Sequence, residues 1–279
     1  MKKISKPQTI FIDLDGTTLD GKTKGKKPNY FSNENKQIIN ELKEQNINVV
    51  VSTGRGDLPK TWNILKTANS DQNCILWNGS KVYANGKLIF EKSISNELVV
   101  NIINFARRSK ISTIVNSDFY NKTYPTTLLL KTILKLLKGK INRYSQFNYK
   151  EPIYKLIFMH KNKKNLFKFE AELKKLYAND LEIAFSGKNN SLIEVTAKNC
   201  SKGNAEKILS NYLNWDLNNS YHFGDSMNDA SAKNVVNKLI AMKNASKNFK
   251  IQADFVSEFN YKKGGFAKTI KKYFEMTEE

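Results

Sequence analysis

The chain has 279 residues, 40% of them hydrophobic, and a formal net charge of +20. Its length predicts two domains with room for a substantial core, and no apolar stretch approaches the ~20 residues of a spanning helix. The basic start Met1-Lys2-Lys3 leads into an apolar run too short for a secretory signal, and Cys74 and Cys200 stand too far apart for a disulfide framework or a zinc cluster, so a cytoplasmic location is the default.

A basic excess attracts nucleic acid, anionic lipid or phosphorylated substrates. Here the lysines are scattered, outnumber the arginines heavily and accompany no recognition motif. No specific nucleic acid and no membrane is therefore expected as a partner, and the excess helps draw in phosphorylated substrates.

Residues 9–13 read as a strand, apolar on both faces, that ends at Asp13-Leu14-Asp15-Gly16. Such strands belong in parallel sheets covered by helices. Residues 33–46 read as a helix with Ser32 as N-cap and Ile38, Ile39 and Leu42 inside. Ile47–Ser52 is a second strand, ending in Thr53-Gly54-Arg55; a helix over 57–68 follows, then a strand over 74–77 ending at Asn78-Gly79. Strands alternating with helices predict an α/β sheet.

The pattern then changes. A hairpin turns at Asn85-Gly86. Helices are expected near 96–109 and over 163–178, the latter with Leu166, Phe169, Leu173 and Leu176 inside, and strands at 111–116 and 154–159. The middle third reads as a second, α+β unit. Within it, Leu128–Lys138 is an amphipathic helix whose Leu130, Ile133, Leu134 and Leu137 are expected to pack on their own domain. The α/β pattern returns with a strand at 192–196. A helix opening at Lys202-Gly203 has Ala205, Ile208, Leu209 and Tyr212 inside, and the strand Tyr221-His222-Phe223 ends in Gly224-Asp225-Ser226-Met227-Asn228-Asp229. Short strands near 239–242 and 255–256 and a helix over 265–274 close the chain.

Four polar clusters thus stand at strand ends or helix starts: Asp13/Asp15, Thr53/Gly54, Lys202 and Asp225/Asn228/Asp229. Each alone reads equally as an ordinary turn or cap. Parallel strands bring their carboxyl ends to one edge, where ligands bind. Convergent acids suit Mg²⁺. A hydroxyl, backbone N–H groups, an amide and a lysine suit the oxygens of a phosphoryl group. The set fits phosphoryl transfer in which Asp13 attacks phosphorus and Asp15 handles protons, with one of the neighbouring carboxyls raised in pKa.

Asp13-Leu14-Asp15-Gly16-Thr17, Ser52-Thr53-Gly54-Arg55, Lys202-Gly203 and Gly224-Asp225-Ser226-Met227-Asn228-Asp229 resemble the four motifs of the haloacid dehalogenase superfamily. Asn78-Gly79-Ser80, Ile240 to Ala245 and Lys263 to Ala267 resemble its Cof-type sugar-phosphatase branch. The resemblance implies a Rossmann-like parallel-sheet core at 1–84 and 188–279, with an α+β cap inserted at 85–187. It implies that Asp13 is the nucleophile, that Asp15 is the acid/base, and that Asp13, Asp15 (through its carbonyl) and Asp225 hold Mg²⁺. It assigns phosphate to the Leu14 backbone, Thr53, Gly54, Lys202 and Asn228, gives Asp229 the task of orienting the metal ligands, and leaves Arg55 a supporting residue. The implied activity is Mg²⁺-dependent hydrolysis of small phosphorylated metabolites through an aspartyl phosphate, with a monomer as the default. Asp at position 15 matches phosphatases and mutases, where transport ATPases of the superfamily carry Thr. A phosphohexomutase and a non-enzymatic basic nucleic-acid-binding protein are the alternatives.

Overall fold

All four residues of Thr9–Ile12 are buried, because helices cover both faces of the sheet they join. The computed structural model describes residues 4–21, 29–148, 151–187 and 189–274; Met1-Lys2-Lys3 and position 188, the expected start of the second core segment, lie outside them. In chain order the elements are β1 (Thr9–Ile12), α1 (Asn33–Glu44), β2 (Asn48–Ser52), α2 (Pro59–Thr67), β3 (Cys74–Leu76), β4 (Lys81–Ala84), β5 (Lys87–Glu91), α3 (Asn96–Arg108), β6 (Ser112–Val115), β7 (Thr123–Tyr124), α4 (Leu128–Leu136), β8 (Lys155–Met159), α5 (Lys163–Tyr177), β9 (Leu181–Ser186), β10 (Leu192–Ala197), α6 (Lys202–Leu213), β11 (Ser220–Gly224), β12 (Lys238–Ala241), α7 (Lys247–Gln252), β13 (Phe255–Val256) and α8 (Gly265–Tyr273).

Two compact units result, one of residues 1–90 and 202–279, the other of residues 91–201. The first is built on an eight-stranded sheet ordered β13-β12-β11-β1-β2-β3-β4-β5. Pairings from β13 through β3 are parallel, and β4 returns antiparallel. Ile10, Ile12, Val49 and Val51 pack with Ile38, Leu42, Leu65, Phe266 and Ile270 on one face. Phe11, Val50 and Leu239 pack with Ala205, Leu209 and Phe249 on the other. The α/β expectation with a parallel-rich sheet therefore holds. From β1 the chain winds outward through β2 and β3, and later outward the other way through β11 and β12. The strand order reverses beside β1, where open α/β sheets form their ligand crevice.

The second unit carries a five-stranded sheet ordered β7-β6-β8-β10-β9, with antiparallel pairings throughout. Phe169 of α5 stacks on Phe105 of α3 at 4.8 Å and meets Phe158 of β8 edge-on at 5.1 Å, which fixes both helices to one sheet face. On β8 and β10, Lys155 and Glu194 form a buried ion pair at 2.9 Å.

Several expectations are corrected. The unit boundaries fall at 90/91 and 201/202 rather than at 84/85 and 187/188. β5 (Lys87–Glu91) extends the large sheet, and β10 lies inside the smaller sheet, paired on both edges by β8 and β9. In α6, Lys202 and Glu206 turn inward one helical turn apart, which leaves Tyr212 exposed and Ile208 only partly covered. In α5, Leu176 is exposed. In α4 only Leu130 and Leu134 are buried, while Ile133 and Leu137 face solvent.

Candidate active site

β1 delivers Asp13 to the carboxyl edge of the sheet. The Asp13 N–H donates to the Phe223 carbonyl at 2.9 Å, and the Thr18 hydroxyl donates to the Asp13 carbonyl at 2.6 Å. The turn that follows folds back on the Leu14 carbonyl, which accepts from the N–H groups of Thr18 and Leu19. Gly16 has φ +81°, and a Cβ there would lie 2.1 Å from Asp225 Oδ2. Backbone conformation and space both exclude a side chain, so the turn after β1 touches the turn after β11.

Lys202, at the first position of α6, is fully enclosed. Its ammonium lies 2.6 Å from Asp13 Oδ1 and 2.5 Å from Asp229 Oδ1. Gly203 makes this possible: a Cβ there would stand 2.0 Å from the Ser231 carbonyl oxygen, so only glycine lets α6 begin against the turn at Asp229–Ala232. Asp229 spends both oxygens on neighbours. Oδ1 takes Lys202 and His222 Nε2 (3.1 Å), and Oδ2 accepts from the N–H groups of Asp225 (2.9 Å) and Ser226 (3.0 Å). A buried polar chain continues inward: His222 Nδ1 meets Glu206 Oε1 at 2.7 Å, and the Ser52 hydroxyl donates to that same oxygen at 2.8 Å.

The remaining clusters join this frame. Thr53 follows β2, where the Asn78 N–H donates to the Thr53 carbonyl at 3.0 Å and the Arg55 N–H donates to the Thr53 hydroxyl at 3.1 Å. Trp77, Asn78 and Gly79 all have positive φ. The Asn228 amide donates to Asn78 Oδ1 at 3.2 Å, and the Ser226 hydroxyl donates to Asn228 Oδ1 at 2.7 Å. Arg55 forks onto Asp15 with both contacts at 2.7 Å, although the Asp15 side chain is 60% exposed. The structure thus links the clusters directly: Asp15 to Arg55, Asp13 to Lys202, Lys202 to Asp229, and Asn228 to Asn78.

The charges are unevenly settled. Burial pushes the Asp13 carboxyl up; the Lys202 ammonium opposes and the Asp229 and Asp15 charges add, leaving it raised to about 7. Burial, then the Asp13 and Asp229 charges, lift Asp225 well above the usual carboxylate range. Burial works against charge on Asp229 too, but Lys202 and His222 outweigh it and hold that carboxyl down. For Lys202, burial is overcome by the Asp13 and Asp229 charges, which hold it protonated. For His222, burial is overcome by Glu206 and Asp229, which push it up to about 9. Among the described acids of the site, the raised carboxyls are therefore Asp13 and Asp225.

Oxygens of Asp13, Asp225 and Asp229 lie within 4.8 Å of one another. An all-oxygen set of mutually repelling carboxyls, two buried and Asp225 half-buried, fits a hard divalent cation. Asp229 is already committed to four partners, which suits a supporting place; Asp13 and Asp225 suit the ligand places.

His222 and Glu206 lie outside the sequence's four polar clusters. Two signals pointed to them: a histidine in an otherwise apolar buried strand, and a glutamate one turn after Lys202 on the inner face of its helix.

A model of the haloacid dehalogenase-like hydrolase family matches residues 10–270. A putative phosphatase of Buchnera aphidicola subsp. Baizongia pistaciae is 28% identical over 243 residues, covering 85% of this chain and 86% of that protein. The Bacillus subtilis 5-amino-6-(5-phospho-D-ribitylamino)uracil phosphatase YwtE is 26% identical over 290 residues, covering 91% and 94%. The solved structure of a haloacid dehalogenase-like hydrolase from B. subtilis superposes with a TM-score of 0.75 at 24% identity, covering 95% of this chain and 99% of that one. With the match spanning both core segments and the inserted unit, the chain belongs to the haloacid dehalogenase-like hydrolase family.

Proposed function

We propose that the chain is a phosphatase that hydrolyses small phosphate monoesters through a phosphorylated Asp13. The observation that carries this reading is the buried contact of Lys202 with Asp13 at 2.6 Å: it sets a fixed cation beside a carboxylate at the end of the central strand. Relatives named as phosphatases over most of their length support the reaction class.

Asp13 attacks phosphorus opposite the ester oxygen. A bond forms from Asp13 oxygen to phosphorus, and the bond to the alcohol oxygen breaks. Asp15, swung away from Arg55 and protonated, gives its proton to that oxygen, and the alcohol leaves. Water then attacks the phosphorus of the aspartyl phosphate while Asp15 takes the water's proton. Inorganic phosphate and the Asp13 carboxylate are regenerated. Lys202, the Thr53 hydroxyl, the Asn228 amide and the N–H groups of Leu14 and Gly54 hold the phosphoryl oxygens as charge develops. Asp229 keeps Lys202 and the Asp225 loop in place. Asp13, Asp225 and the Asp15 carbonyl would hold Mg²⁺, which supplies positive charge against the phosphoryl oxygens when bound.

Residues 91–201 form the unit that selects the leaving group. Sugar phosphates and similar polyol phosphates are the proposed class; the name of one relative's substrate carries a 5-phospho-D-ribityl group. The enzyme is proposed to work as a cytoplasmic monomer. Asp13→Asn tests the reading: with Mg²⁺ and a generic aryl phosphate it should lose turnover while its circular dichroism is unchanged. Wild-type turnover in that variant would refute the nucleophile, and transfer of phosphate between sugar positions without release of inorganic phosphate would favour a mutase.

A further inference from the structure

We propose that α4 and the turn after it form a docking surface for an anionic lipid bilayer. The helix carries three stripes. Leu130 and Leu134, one turn apart, are buried. Leu129, Ile133 and Leu136 follow the same-face spacing of i, i+4 and i+7, yet Leu129 is 68% and Leu136 77% exposed. Leu128, at 80%, and Leu137, at 49%, extend the bare apolar surface to both ends of the helix. Lys131 and Lys135 form the third stripe, also exposed.

The surface continues past the helix. Lys138 and Lys140 are exposed and flank Gly139. The Lys140 N–H donates to the Tyr120 carbonyl at 2.6 Å, and Ile141 bridges to Thr123. These contacts bring the exposed Tyr120 and Ile141 beside the end of α4. The helix and the turn after it therefore combine a bare aliphatic stripe and a tyrosine with at least four exposed lysines.

Soluble monomers rarely leave such contiguous apolar surface uncovered. Its chemistry selects the occupant. A second copy is disfavoured because two chains that each carry +20 repel one another. The buried core of a protein interface is enriched in aromatics and depleted in lysine, whereas here bare leucines share one short helix with lysines. Leucines that enter the acyl boundary while lysines meet anionic headgroups are the pattern of interfacial helices. With nine residues, α4 is far too short to cross a bilayer and would lie along it.

Vesicle co-sedimentation of the full chain tests this, with phosphatidylglycerol–phosphatidylcholine vesicles against phosphatidylcholine alone. The expected result is binding to the anionic vesicles, at least tenfold weaker to the neutral ones and weakened by high salt. Leu129→Gln with Leu136→Gln should reduce it at least tenfold, and so should Lys131→Glu with Lys135→Glu. All four positions are exposed, so circular dichroism and turnover of a soluble phosphate monoester should be unchanged. The proposal is overturned by no vesicle binding, by binding that survives the leucine substitutions, or by a leucine-dependent dimer or a leucine-dependent complex with an acidic protein in place of vesicle binding.

Discussion

The ammonium of Lys202 bridges Asp13 and Asp229 at 2.6 and 2.5 Å, with no exposure to solvent. One cation thus ties the end of β1 to the turn after β11. Removing one partner from a buried ion pair leaves an uncompensated charge and costs about 3–5 kcal/mol. Lys202→Met keeps the chain as far as Cε and removes the ammonium. It should lower stability by about that amount in urea titration and reduce kcat by at least about 10²-fold, the scale of losing one transition-state donor. A variant of unchanged stability would show that the three groups are not coupled as described.

His222 gives stability a pH signature. Its pKa in the fold is raised to about 9 from an ordinary 6.5. The sign follows: the folded state holds the proton more tightly, so the contribution is complete below pH 6.5 and is lost as pH rises through 9. The amplitude is on the order of 3 kcal/mol, at roughly 1.4 kcal/mol per pKa unit. His222→Gln should flatten the stability profile in that window, read by chemical denaturation at pH 6, 8 and 9.5. A profile as steep as the wild type's would assign the dependence elsewhere.

Asp13 has the opposite chemistry but the same direction. A carboxyl raised from 3.8 to about 7 is penalised when it ionises, so the metal-free protein should lose stability as pH rises from about 4 to 7. A divalent cation relieves that penalty and stabilises by mass action. Addition of Mg²⁺ should raise the melting temperature more at pH 8 than at pH 5, and Asp225→Asn should cut the gain. Equal gains at both pH values would place the cation away from these carboxyls.

Arg55 holds Asp15 through two contacts at 2.7 Å. A lysine cannot reproduce that fork. Because the pair is partly exposed, Arg55→Lys should change stability by less than about 1 kcal/mol. Its effect should fall on kcat, by roughly tenfold, measured by steady-state kinetics on an aryl phosphate. A change confined to KM would make Arg55 a substrate contact instead.

Much of the core was legible because its strands are apolar on both faces and stop at polar residues. Thr9–Ile12, Asn48–Ser52 and Ser220–Gly224 are buried along nearly their whole length, and each is followed by a cluster of the site. Local signals also placed Ser32, whose hydroxyl accepts from the Asn35 N–H to cap α1. Long-range pairing was not legible. Leu192–Ala197 has the same composition as a core strand, and only its partners β8 and β9 assign it to the other sheet. The periodicity of Leu128–Lys138 predicts one packed side of Leu130, Ile133, Leu134 and Leu137, but helical spacing alone does not say how wide the covered sector is, and only Leu130 and Leu134 are covered. The His222–Glu206 contact joins a strand to a helix across the sheet face, so neither residue alone announces it. Asp15 likewise reads as a free acid until Arg55 is found upon it.

The central claim is that phosphate passes through Asp13. Rapid quenching during turnover of a phosphate monoester with Mg²⁺, followed by borohydride reduction, converts an aspartyl phosphate to homoserine that peptide mass spectrometry locates. Homoserine at position 13, absent without substrate and absent in Asp13→Asn, is the predicted result. Homoserine at another aspartate, or continued turnover with none at position 13 in the quenched enzyme, would contradict the account.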